Sequence, residues 1–585
     1  MFTKDQQAIN EIIHQYCRGN NLPEIDIFWK GIPFSGHWGM STSFFQLASA
    51  EAKMGNKVNV PQRAQEHAEA VAKQVQSFPG FERVEAVRGY LNCYFSTSIY
   101  VGRVVDTVLS EGKAFGHGED KHQRVMVEYS QPNTHKAFHV GHLRNMILGS
   151  AVCNIMEFAG YEVIRANYIG DIGLHVIKWM WNYLKHHDGE EPTGNIISWM
   201  GAIYAEADQY FSGSEEVEKE VRELFARWDR RDPELVALWK KTRDWSMQGF
   251  NDVYETLNVK FDRYYYESEV EESGKDIVKT LIEKGIARDE RPDGAVIIPL
   301  DEILGEKEKY RVLVILRSDG TSLYSTKDLP LAINKVEEYK LDQSIYVIDV
   351  RQSLYMQQIF KTLELMGYAW AKNLHHLAYE VVNLPGNVTM SSRDGTVVLL
   401  EDLINQAIAE AMKIVEEKNP ELSDDAKQAV AKAVALGGIR YSMLSRDNTK
   451  IVTFDWKSAL DINGQAAPYI QYAYVRANSI LRKTGADLPA ALPLNYELTK
   501  DEVELIDCIT RFPQEVQRAA NDFHPLYIST LAYELASLFN TFYKNCPVLK
   551  AEPEIRDFRL RMVAAAKQTI ENALAILGIT APDVM

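Results

Sequence analysis

Two histidines are the residues whose type and spacing most clearly suggest chemistry, and they stand in the segment His139-Val140-Gly141-His142. A separation of three positions places both imidazoles on one face of a helix. There they could donate hydrogen bonds to phosphate oxygens as charge develops in a transition state. Gly141 has no side chain, so a flat base could approach the backbone closely. A pair of surface or metal-binding histidines fits these four residues about equally well. The predicted secondary structure around them is therefore needed to distinguish these interpretations.

The surrounding elements favour a nucleotide site. An apolar stretch at 124–129 predicts a strand. Apolar residues at helical spacing, followed by Gly160, predict a helix from about 139 to 158. A second strand is predicted at 161–168. This order is a βαβ unit, which implies a parallel sheet. The histidines begin its helix, where free N–H groups and a positive partial charge suit an anionic phosphate.

The same fold is predicted to continue much later in the chain. A strand at 344–348 is followed by a helix at 354–366, and the helical stretch at about 182–262 reads as an insertion. Beyond them lies a polar loop, Thr389-Met390-Ser391-Ser392-Arg393-Asp394-Gly395. By itself this loop fits a simple surface turn.

The two ends of the chain have a different character. The first segment, to about residue 118, mixes helical stretches with an apolar strand at 89–95, and a polar linker follows at 112–123. From about residue 401 the pattern is nearly all helical, and 440–585 predicts a helical bundle. A chain of 585 residues is too long for one hydrophobic core. We therefore expect several domains.

Composition narrows the class of protein. Hydrophobic residues make up 46% and charged residues 25%, as in ordinary soluble proteins. The five cysteines form no CxxC pair, which indicates neither a zinc ribbon nor a disulfide framework and suits a reducing cytoplasm. We expect no signal peptide and no membrane span. A net charge of −17 disfavours non-specific DNA binding. It still permits a folded RNA held by local basic patches, with modest, salt-sensitive affinity.

Many separate segments, in one order, resemble the arginyl family of class I aminoacyl-tRNA synthetases. His139-Val140-Gly141-His142 is similar to the HIGH motif of that class. The other matching segments are Val127 to Asn133, Lys136 to Phe138, Leu143-Arg144, Asn167 to Gly173, Arg317 to Thr321, Tyr324 to Leu329, Phe454 to Trp456, Pro468 to Arg476 and Leu538 to Tyr543. The resemblance covers nearly the whole chain, and such a collinear set is far more specific than one motif.

The resemblance implies an arginine pocket and an arginine–tRNA ligase activity. The arginine-binding residues that it implies are Glu128, Asn133, Tyr324, Asp328 and Gln352. Carboxylates suit this substrate because a guanidinium pairs with them through its planar fork of donors. We assign Asp328 to the guanidinium, and Glu128 with Asn133 to the other polar groups, including the α-amino group. Three positions depart from the family pattern: His175 replaces a usual glutamine, Ile172 a frequent tryptophan, and Tyr355 a common histidine.

The resemblance also implies the ATP site. Its residues are His139, Gly141, His142, Met390, Ser391 and Ser392, with His139, His142, Lys136 and Arg393 as the catalytic set. Most class I enzymes have a KMSKS loop, whereas this chain has Thr389 and Ser392 at the two lysine positions. The resemblance implies that Lys136 compensates for the second lysine by neutralising charge at the α-phosphate. Arg393 is the other candidate to supply the missing charge.

The implied partners are tRNA(Arg), L-arginine and ATP with Mg²⁺. The resemblance assigns the tRNA elbow to the first segment and the anticodon to the last. Candidate RNA contacts there are Tyr469, Tyr472, Tyr543 and Met585, because unpaired bases stack on aromatic side chains. Most aromatics of a helical bundle are nevertheless core. We expect a cytoplasmic monomer with no protein-bound metal site, no DNA partner and no membrane partner.

The predicted fold class is multidomain α/β plus all-α. It comprises an α+β N-terminal domain at 1–118 and a Rossmann-type parallel-sheet catalytic domain at 119–400, with the HxGH motif and an insertion at 182–262. A connecting helical segment at 401–439 leads to a helical anticodon-binding bundle at 440–585. Two alternatives stay open. One is a small-molecule adenylyltransferase with an HxGH site, and the other is a non-catalytic tRNA-binding relative, suggested by the two missing lysines.

Overall fold

The computed structural model describes residues 2–54, 58–384, 388–389, 399–485, 487–491 and 494–585. Its chain forms two compact units. The first unit comprises Met1–Phe115, Arg476–Phe512 and Glu534–Asn572, and the second comprises Gly116–Val475, Pro513–Tyr533 and Ala573–Met585. The domain boundaries given above run linearly along the sequence and stay predictions.

The N-terminal part combines four helices with one antiparallel sheet. Its elements are α1 (Thr3–Gly19), β1 (Lys30–Ile32), β2 (Gly39–Ser43), α2 (Phe45–Lys53), α3 (Val60–Val75), β3 (Phe81–Val87), β4 (Tyr90–Phe95) and α4 (Thr97–Glu111). The strand order is β1-β2-β4-β3. A two-residue turn joins β3 to β4, and both of its residues, Arg88 and Gly89, have positive φ, as tight hairpins require. The predicted strand at 89–95 is confirmed as β4.

The central part contains the predicted βαβ unit and its continuation. Its elements are β5 (Arg124–Glu128), α5 (Val140–Phe158), β6 (Glu162–Ile169), α6 (Leu174–His186), α7 (Ile196–Gly213), α8 (Glu215–Asp229), α9 (Pro233–Thr256), β7 (Arg263–Tyr266), α10 (Glu267–Glu283), β8 (Arg288–Asp289), β9 (Val296–Pro299), α11 (Leu300–Leu304), β10 (Val312–Leu316), α12 (Tyr324–Tyr339), β11 (Gln343–Asp349), α13 (Ser353–Leu365), β12 (Leu374–Tyr379), β13 (Val382–Leu384) and β14 (Val388–Thr389).

Five of these strands form one parallel sheet in the order β12-β11-β5-β6-β7. Read from the β7 edge and numbered by their place in the chain, the five strands have the order 3-2-1-4-5, which is the order found in a Rossmann sheet. Ligands bind such sheets at the carboxyl ends of the strands, near the point where the order reverses. In this sheet that point lies between β5 and β11.

The insertion is helical, as predicted. Helices α6 to α9 pack around a cluster of buried aromatic and aliphatic side chains that includes Trp179, Met180, Trp228 and Trp239. The first of these helices begins before the predicted start at about 182, because the apolar face of α6 already belongs to this core. The insertion therefore has a hydrophobic core of its own.

The rest of the chain is almost entirely helical. Its elements are α14 (Leu400–Lys418), α15 (Asp424–Leu444), β15 (Val452–Thr453), α16 (Trp456–Ala459), α17 (Ala467–Thr484), α18 (Lys500–Asp522), α19 (Leu526–Asn545) and α20 (Pro553–Ile576). None of the helices in the described ranges is long and apolar enough to cross a lipid bilayer. The predicted fold class, with its helical C-terminal part, is confirmed.

All five cysteines are buried and none forms a disulfide; they are Cys17, Cys93, Cys153, Cys508 and Cys546. Burial raises the pKa of Cys93, Cys153 and Cys508 to about 12. These thiols therefore behave as small apolar side chains.

Candidate active site

The two histidines of the first motif lie at the start of α5, as predicted. The Gly141 N–H donates to His139 Nδ1 at 3.1 Å, and the His139 N–H donates to His142 Nδ1 at 3.2 Å. The ring centroids are 4.0 Å apart. Each imidazole therefore satisfies a backbone donor that the first helical turn would otherwise leave without a partner. The helix holds both rings in fixed orientations.

Both histidines favour the neutral form. Burial lowers the pKa of His139, and the charges of Lys136 and Arg351 add to this effect. Burial likewise lowers the pKa of His142 well below its usual range, with His139 contributing. A neutral imidazole has one donor and one acceptor nitrogen. Since Nδ1 accepts in both rings, Nε2 carries the proton in both, and each ring offers an Nε2–H donor.

Lys136 lies beside this pair. Its ammonium group is 4.7 Å from the ring centroid of Tyr204, a residue of the insertion helix α7. Burial lowers the pKa of Lys136, and Lys178 lowers it further, whereas Asp208 opposes the shift. Lys136 is thus a partly desolvated cation close to the helix N-terminus, where its interaction with an anionic ligand is stronger than in water.

Glu128 lies at the carboxyl end of β5 and is buried. Its Oε1 accepts a hydrogen bond from Gln131 Nε2 at 2.9 Å, and its Oε2 contacts the Nζ of Lys335, which is also buried. Burial has the largest single effect and lowers the pKa of Lys335, but the charge and hydrogen bond of Glu128, together with Tyr346 and Asp328, raise that pKa overall. Lys335 is therefore an ammonium ion that neutralises Glu128.

Asp328 lies in the first turns of α12, and among the described residues only Tyr355 donates a side-chain hydrogen bond to it. The Tyr355 hydroxyl lies 2.5 Å from Asp328 Oδ2. Burial raises the pKa of Asp328 to about 7, with Glu128 and Glu267 contributing, against the opposing effects of the Tyr355 hydrogen bond and the Lys335 charge. Among the described residues, no cation lies within ion-pair distance of Asp328.

The two other carboxylates of this region do have cations. The Lys327 ammonium donates to Glu267 Oε1 at 2.6 Å. The backbone N–H and hydroxyl of Ser268 donate to Asp171 at 2.9 and 2.7 Å, and Arg243 lies 3.4 Å from Asp171 Oδ2. Each of these acids is therefore tied to a positive side chain.

The remaining predicted arginine-binding residues lie on loops and helix ends at this edge of the sheet. Asn133 bridges to Gly170, where a Cβ atom would stand 2.2 Å from Asn133 Oδ1; only glycine leaves room for that amide. Tyr324 is the first residue of α12 and is 68% exposed. Gln352 is exposed immediately before α13.

The polar atoms that are buried without a partner in the described part of the chain include the Tyr168 hydroxyl and His175 Nε2. Burial raises the pKa of Tyr168 well above its usual range, with Asp328 the largest charge contributing. Burial also lowers the pKa of His175 to about 3, with Lys136 contributing. Buried polar atoms are normally hydrogen-bonded, so this region is incomplete as it stands.

Sequence reasoning did not single out Lys335 or Tyr168 for any role. A signal existed for Lys335, because it follows Asp328 by seven positions on one helix and so shares its face. Tyr168 lies in a segment that the family resemblance covers, but its residue type gave no reason to choose it. The contact of Tyr355 with Asp328 was also not foreseen.

Of the predicted ATP-site loop, Met390, Ser391, Ser392 and Arg393 lie outside the described residues. The stem of the loop is described, and Arg144 of α5 anchors it. The Arg144 guanidinium donates to the Glu380 carbonyl at 2.5 Å and to the Lys450 carbonyl at 2.9 Å. Glu380 lies two residues before β13, which pairs with β14 at the start of the loop. The helix carrying the histidines is thereby bound to the base of the loop.

The predicted RNA-contact residues differ in exposure. Tyr472 on α17 and Tyr543 on α19 are 39% and 44% exposed. The Arg476 guanidinium lies 4.9 Å from the ring centroid of Tyr543. Tyr469 is half-buried, 5.2 Å from Tyr533, and Met585 is half-buried. Exposure leaves Tyr472 and Tyr543 able to contact a partner.

Two family models match the chain. Residues 104–456 match the catalytic domain of "tRNA synthetases class I (R)", and residues 470–585 match the "DALR anticodon binding domain". The first match alone covers more than half of the chain, and it includes the described residues predicted to bind arginine and ATP.

Curated relatives and solved structures agree with these models. The chain is 35% identical to a Clostridium botulinum arginine–tRNA ligase over 98% of this chain and 99% of that protein. It is 36% identical to a Clostridium perfringens arginine–tRNA ligase over 92% and 93%. The structure is similar to Thermus thermophilus arginyl-tRNA synthetase, with a TM-score of 0.78, 26% identity, and coverage of 99% and 100%. A Plasmodium falciparum arginyl-tRNA synthetase shares the fold, with a TM-score of 0.73, 18% identity, and coverage of 100% and 99%.

Proposed function

The chain belongs to the arginine–tRNA ligase family of class I aminoacyl-tRNA synthetases, and from that premise we propose how its residues carry out the reaction. In the first step the carboxylate of L-arginine attacks the α-phosphate of ATP, giving arginyl-adenylate and pyrophosphate. In the second step the terminal ribose hydroxyl of tRNA(Arg) takes the arginyl group and AMP leaves. No side chain forms a covalent intermediate, so catalysis comes from positioning and charge stabilisation.

The unpaired carboxylate of Asp328 is the observation that carries the choice of arginine. Glu128, Glu267 and Asp171 each have a cationic partner, whereas Asp328 has none among the described residues. The pocket therefore lacks one positive charge. A substrate guanidinium supplies it, and its planar fork binds a carboxylate through two parallel hydrogen bonds.

Glu128 and Asn133 hold the polar end of arginine in this proposal. Gln131 donates to one lone pair of Glu128 Oε1, and Lys335 donates to one lone pair of Glu128 Oε2. A carboxylate has about four lone-pair positions. The remaining positions suit the α-ammonium group. The amide of Asn133 is fixed against Gly170. Tyr324 and Gln352, both exposed at helix starts, close over the substrate.

The start of α5 binds the phosphates of ATP. His139 and His142 each present an Nε2–H donor, and the N-terminus of the helix adds its own N–H groups and partial charge. These donors stabilise the charge that develops as arginine attacks the α-phosphate. Gly141 leaves room for the nucleotide to approach the backbone.

Lys136 supplies the mobile positive charge at the α-phosphate. Thr389 and Ser392 stand where most class I enzymes have lysines, so the loop contributes Met390, Ser391 and Ser392 as contacts but no ammonium group. Arg393 is the alternative source of charge. We favour Lys136 because it lies close enough to His139 to lower the pKa of that residue.

Magnesium enters with ATP in this proposal. The described residues contain no group of three or more His, Cys, Asp or Glu side chains able to hold a metal ion. Mg²⁺ is commonly held by substrate phosphates and waters with only one or two carboxylates. The triphosphate of ATP would therefore supply the main ligands of Mg²⁺, and the ion would neutralise part of the phosphate charge.

The helical C-terminal part reads the anticodon of tRNA(Arg), with Tyr472 and Tyr543 as the exposed candidates for base stacking. Tyr469 and Met585, which are half-buried, are secondary candidates. The first segment grips the tRNA elbow. We further propose that the chain acts as a monomer in the cytoplasm, where its substrates are, and that it has no DNA or membrane partner.

Charging of total tRNA by the purified chain, with Mg·ATP and each standard amino acid in turn, tests the proposal. We expect charging with arginine alone. Pyrophosphate exchange, with and without tRNA, separates the two steps. Charging with another amino acid would contradict the role of Asp328. Binding of tRNA without charging would favour the non-catalytic relative, and ATP turnover that ignores tRNA would favour an adenylyltransferase.

A further inference from the structure

Tyr168 lies at the edge of the sheet where the proposed arginine pocket is. It is the second-last residue of β6, two positions beyond Ala166, which pairs in register with Glu128. Residues paired in register, and residues two apart on a strand, point to the same face of a sheet. The Tyr168 side chain therefore leaves the sheet on the face that carries Glu128.

Helix α12 covers that face. Its Lys335 contacts Glu128 and lies 5.6 Å from the ring centroid of Tyr265, the residue that pairs with Tyr168 in register. Asp328 lies seven residues earlier on the same face of α12. The influence of the Asp328 charge on Tyr168 agrees with this placement.

Within the described part of the chain, the Tyr168 hydroxyl makes no hydrogen bond that would explain it as a group that stabilises the fold. Its oxygen is buried, yet it has no hydrogen-bond partner among the described residues. A buried polar group without a partner destabilises a fold by about 1–3 kcal/mol. Phenylalanine would fill the same space without that cost, so the hydroxyl needs another reason to be present.

We propose that Tyr168 is a specificity-determining residue of the arginine pocket, whose hydroxyl accepts a guanidinium N–H that Asp328 leaves unbound. This inference rests on the proposed function. A guanidinium has five N–H donors, and a bidentate carboxylate takes two of them. The hydroxyl oxygen accepts a third. Asp328 then has a cationic partner, and the Tyr168 hydroxyl has a hydrogen-bond partner.

The test replaces Tyr168 with phenylalanine in the full-length chain. In tRNA-dependent pyrophosphate exchange, the KM for arginine should rise about 10- to 100-fold, the effect of losing a hydrogen bond to a charged group. The KM for ATP should stay within about twofold of the wild-type value. Without arginine, the Tm should stay the same or rise, because an unsatisfied hydroxyl is gone. The Tm increase that arginine gives the wild-type chain should shrink.

Tyr265→Phe is the matched control. Tyr265 is the neighbour of Tyr168 in the sheet, but its hydroxyl donates to Glu338 at 3.0 Å. Its removal should leave both KM values unchanged. An unchanged arginine KM in Tyr168→Phe, or equal increases in the KM for arginine and for ATP, would overturn the inference while wild-type charging still upheld the proposed function. Failure of the wild-type chain to charge arginine would instead remove the premise.

A second pair of variants covers the case in which Tyr168→Phe does not fold. Glutamine and methionine have similar size and flexibility, but only glutamine offers an acceptor oxygen. Tyr168→Gln should bind arginine more tightly than Tyr168→Met in a thermal-shift titration with arginine alone. Equal affinities would reject the hydroxyl as an acceptor.

Discussion

Two buried networks use similar residue types and differ in how completely they are satisfied. In the N-terminal part, Glu51 accepts hydrogen bonds from Arg63 at 2.7 and 3.0 Å and contacts His67 Nε2 at 2.9 Å. The other nitrogen of His67 lies 2.9 Å from the Tyr16 hydroxyl. Each member has partners supplied by the chain itself.

The pocket at the end of β5 contains the same kinds of group, but it is incomplete. Asp328 has a tyrosine partner and no cation, while the Tyr168 hydroxyl and His175 Nε2 have no partner among the described residues. Buried polar groups cost free energy unless they are paired. The satisfied network stabilises the fold. The unsatisfied groups of the pocket are suited to binding a polar ligand. Substitutions in the pocket should therefore change the kinetics of substrate use, whereas substitutions in the N-terminal network should change the free energy of unfolding.

The largest effect on substrate use is expected from Asp328→Asn. The variant removes the one carboxylate that awaits a cation, and loss of one member of a buried charge pair costs about 2–5 kcal/mol. The KM for arginine should rise about 30- to 5,000-fold, while the KM for ATP changes little and the Tm does not fall. Steady-state pyrophosphate exchange measures both constants. An arginine KM near the wild-type value would contradict the assignment of Asp328.

Lys136→Ala should act on rate instead of affinity. Removal of one group that stabilises transition-state charge typically costs about 100- to 1,000-fold in kcat, and we expect about 100-fold in single-turnover adenylate formation. The KM for arginine should change little. Lys178→Ala is the control, since Lys178 is a nearby lysine already paired with Asp208 at 2.8 Å. Equal losses in rate and in arginine affinity would exclude Lys136 as the substitute for the missing loop lysines.

A smaller effect is expected from pH. Burial raises the pKa of Asp328 to about 7, and only the ionised carboxylate pairs with a guanidinium. The charged fraction rises about tenfold from pH 6 to pH 8, so the KM for arginine should fall about tenfold over that interval. The KM for arginine in Asp328→Asn should be nearly flat. A flat profile for the wild-type chain would mean that Asp328 is already ionised at pH 6.

The smallest effect on arginine use, and a clear effect on stability, is expected from Glu51→Gln. The variant leaves Arg63 and His67 without their shared carboxylate in the satisfied network. Because Arg63 is partly exposed, we expect a loss of about 2 kcal/mol in the free energy of unfolding, below the usual range for a fully buried pair. Denaturant unfolding measures the loss. A raised arginine KM in the folded variant would show that this network is not purely structural.

Sequence alone predicted the parts of the site that depend on local order. The His139 and His142 pair, the strand before it and the helix that it begins follow from short-range patterns. Asp328 and Glu128 came from the family resemblance and not from the residues themselves. The sequence could not show that Lys335 would occupy Glu128, because that contact joins positions 207 apart.

Arg144 illustrates the same limit more strongly. Its acceptors are backbone carbonyls, including those of Glu380, Asp447 and Lys450. Every residue has a carbonyl, so residue types carry no signal for such contacts. An arginine inside a helix predicts a solvated side chain on base rates, and only the folded chain identifies it as the anchor of the loop stem.

The buried cysteines have a practical consequence for observing this chain at work. Maleimides and iodoacetamides react with thiolates, and none of the five native thiols is both exposed and readily ionised. A single cysteine introduced at an exposed position would therefore outcompete them for a fluorophore. The chain could carry one dye at that cysteine without removal of its native cysteines, and energy transfer to a second dye on the tRNA would follow tRNA docking.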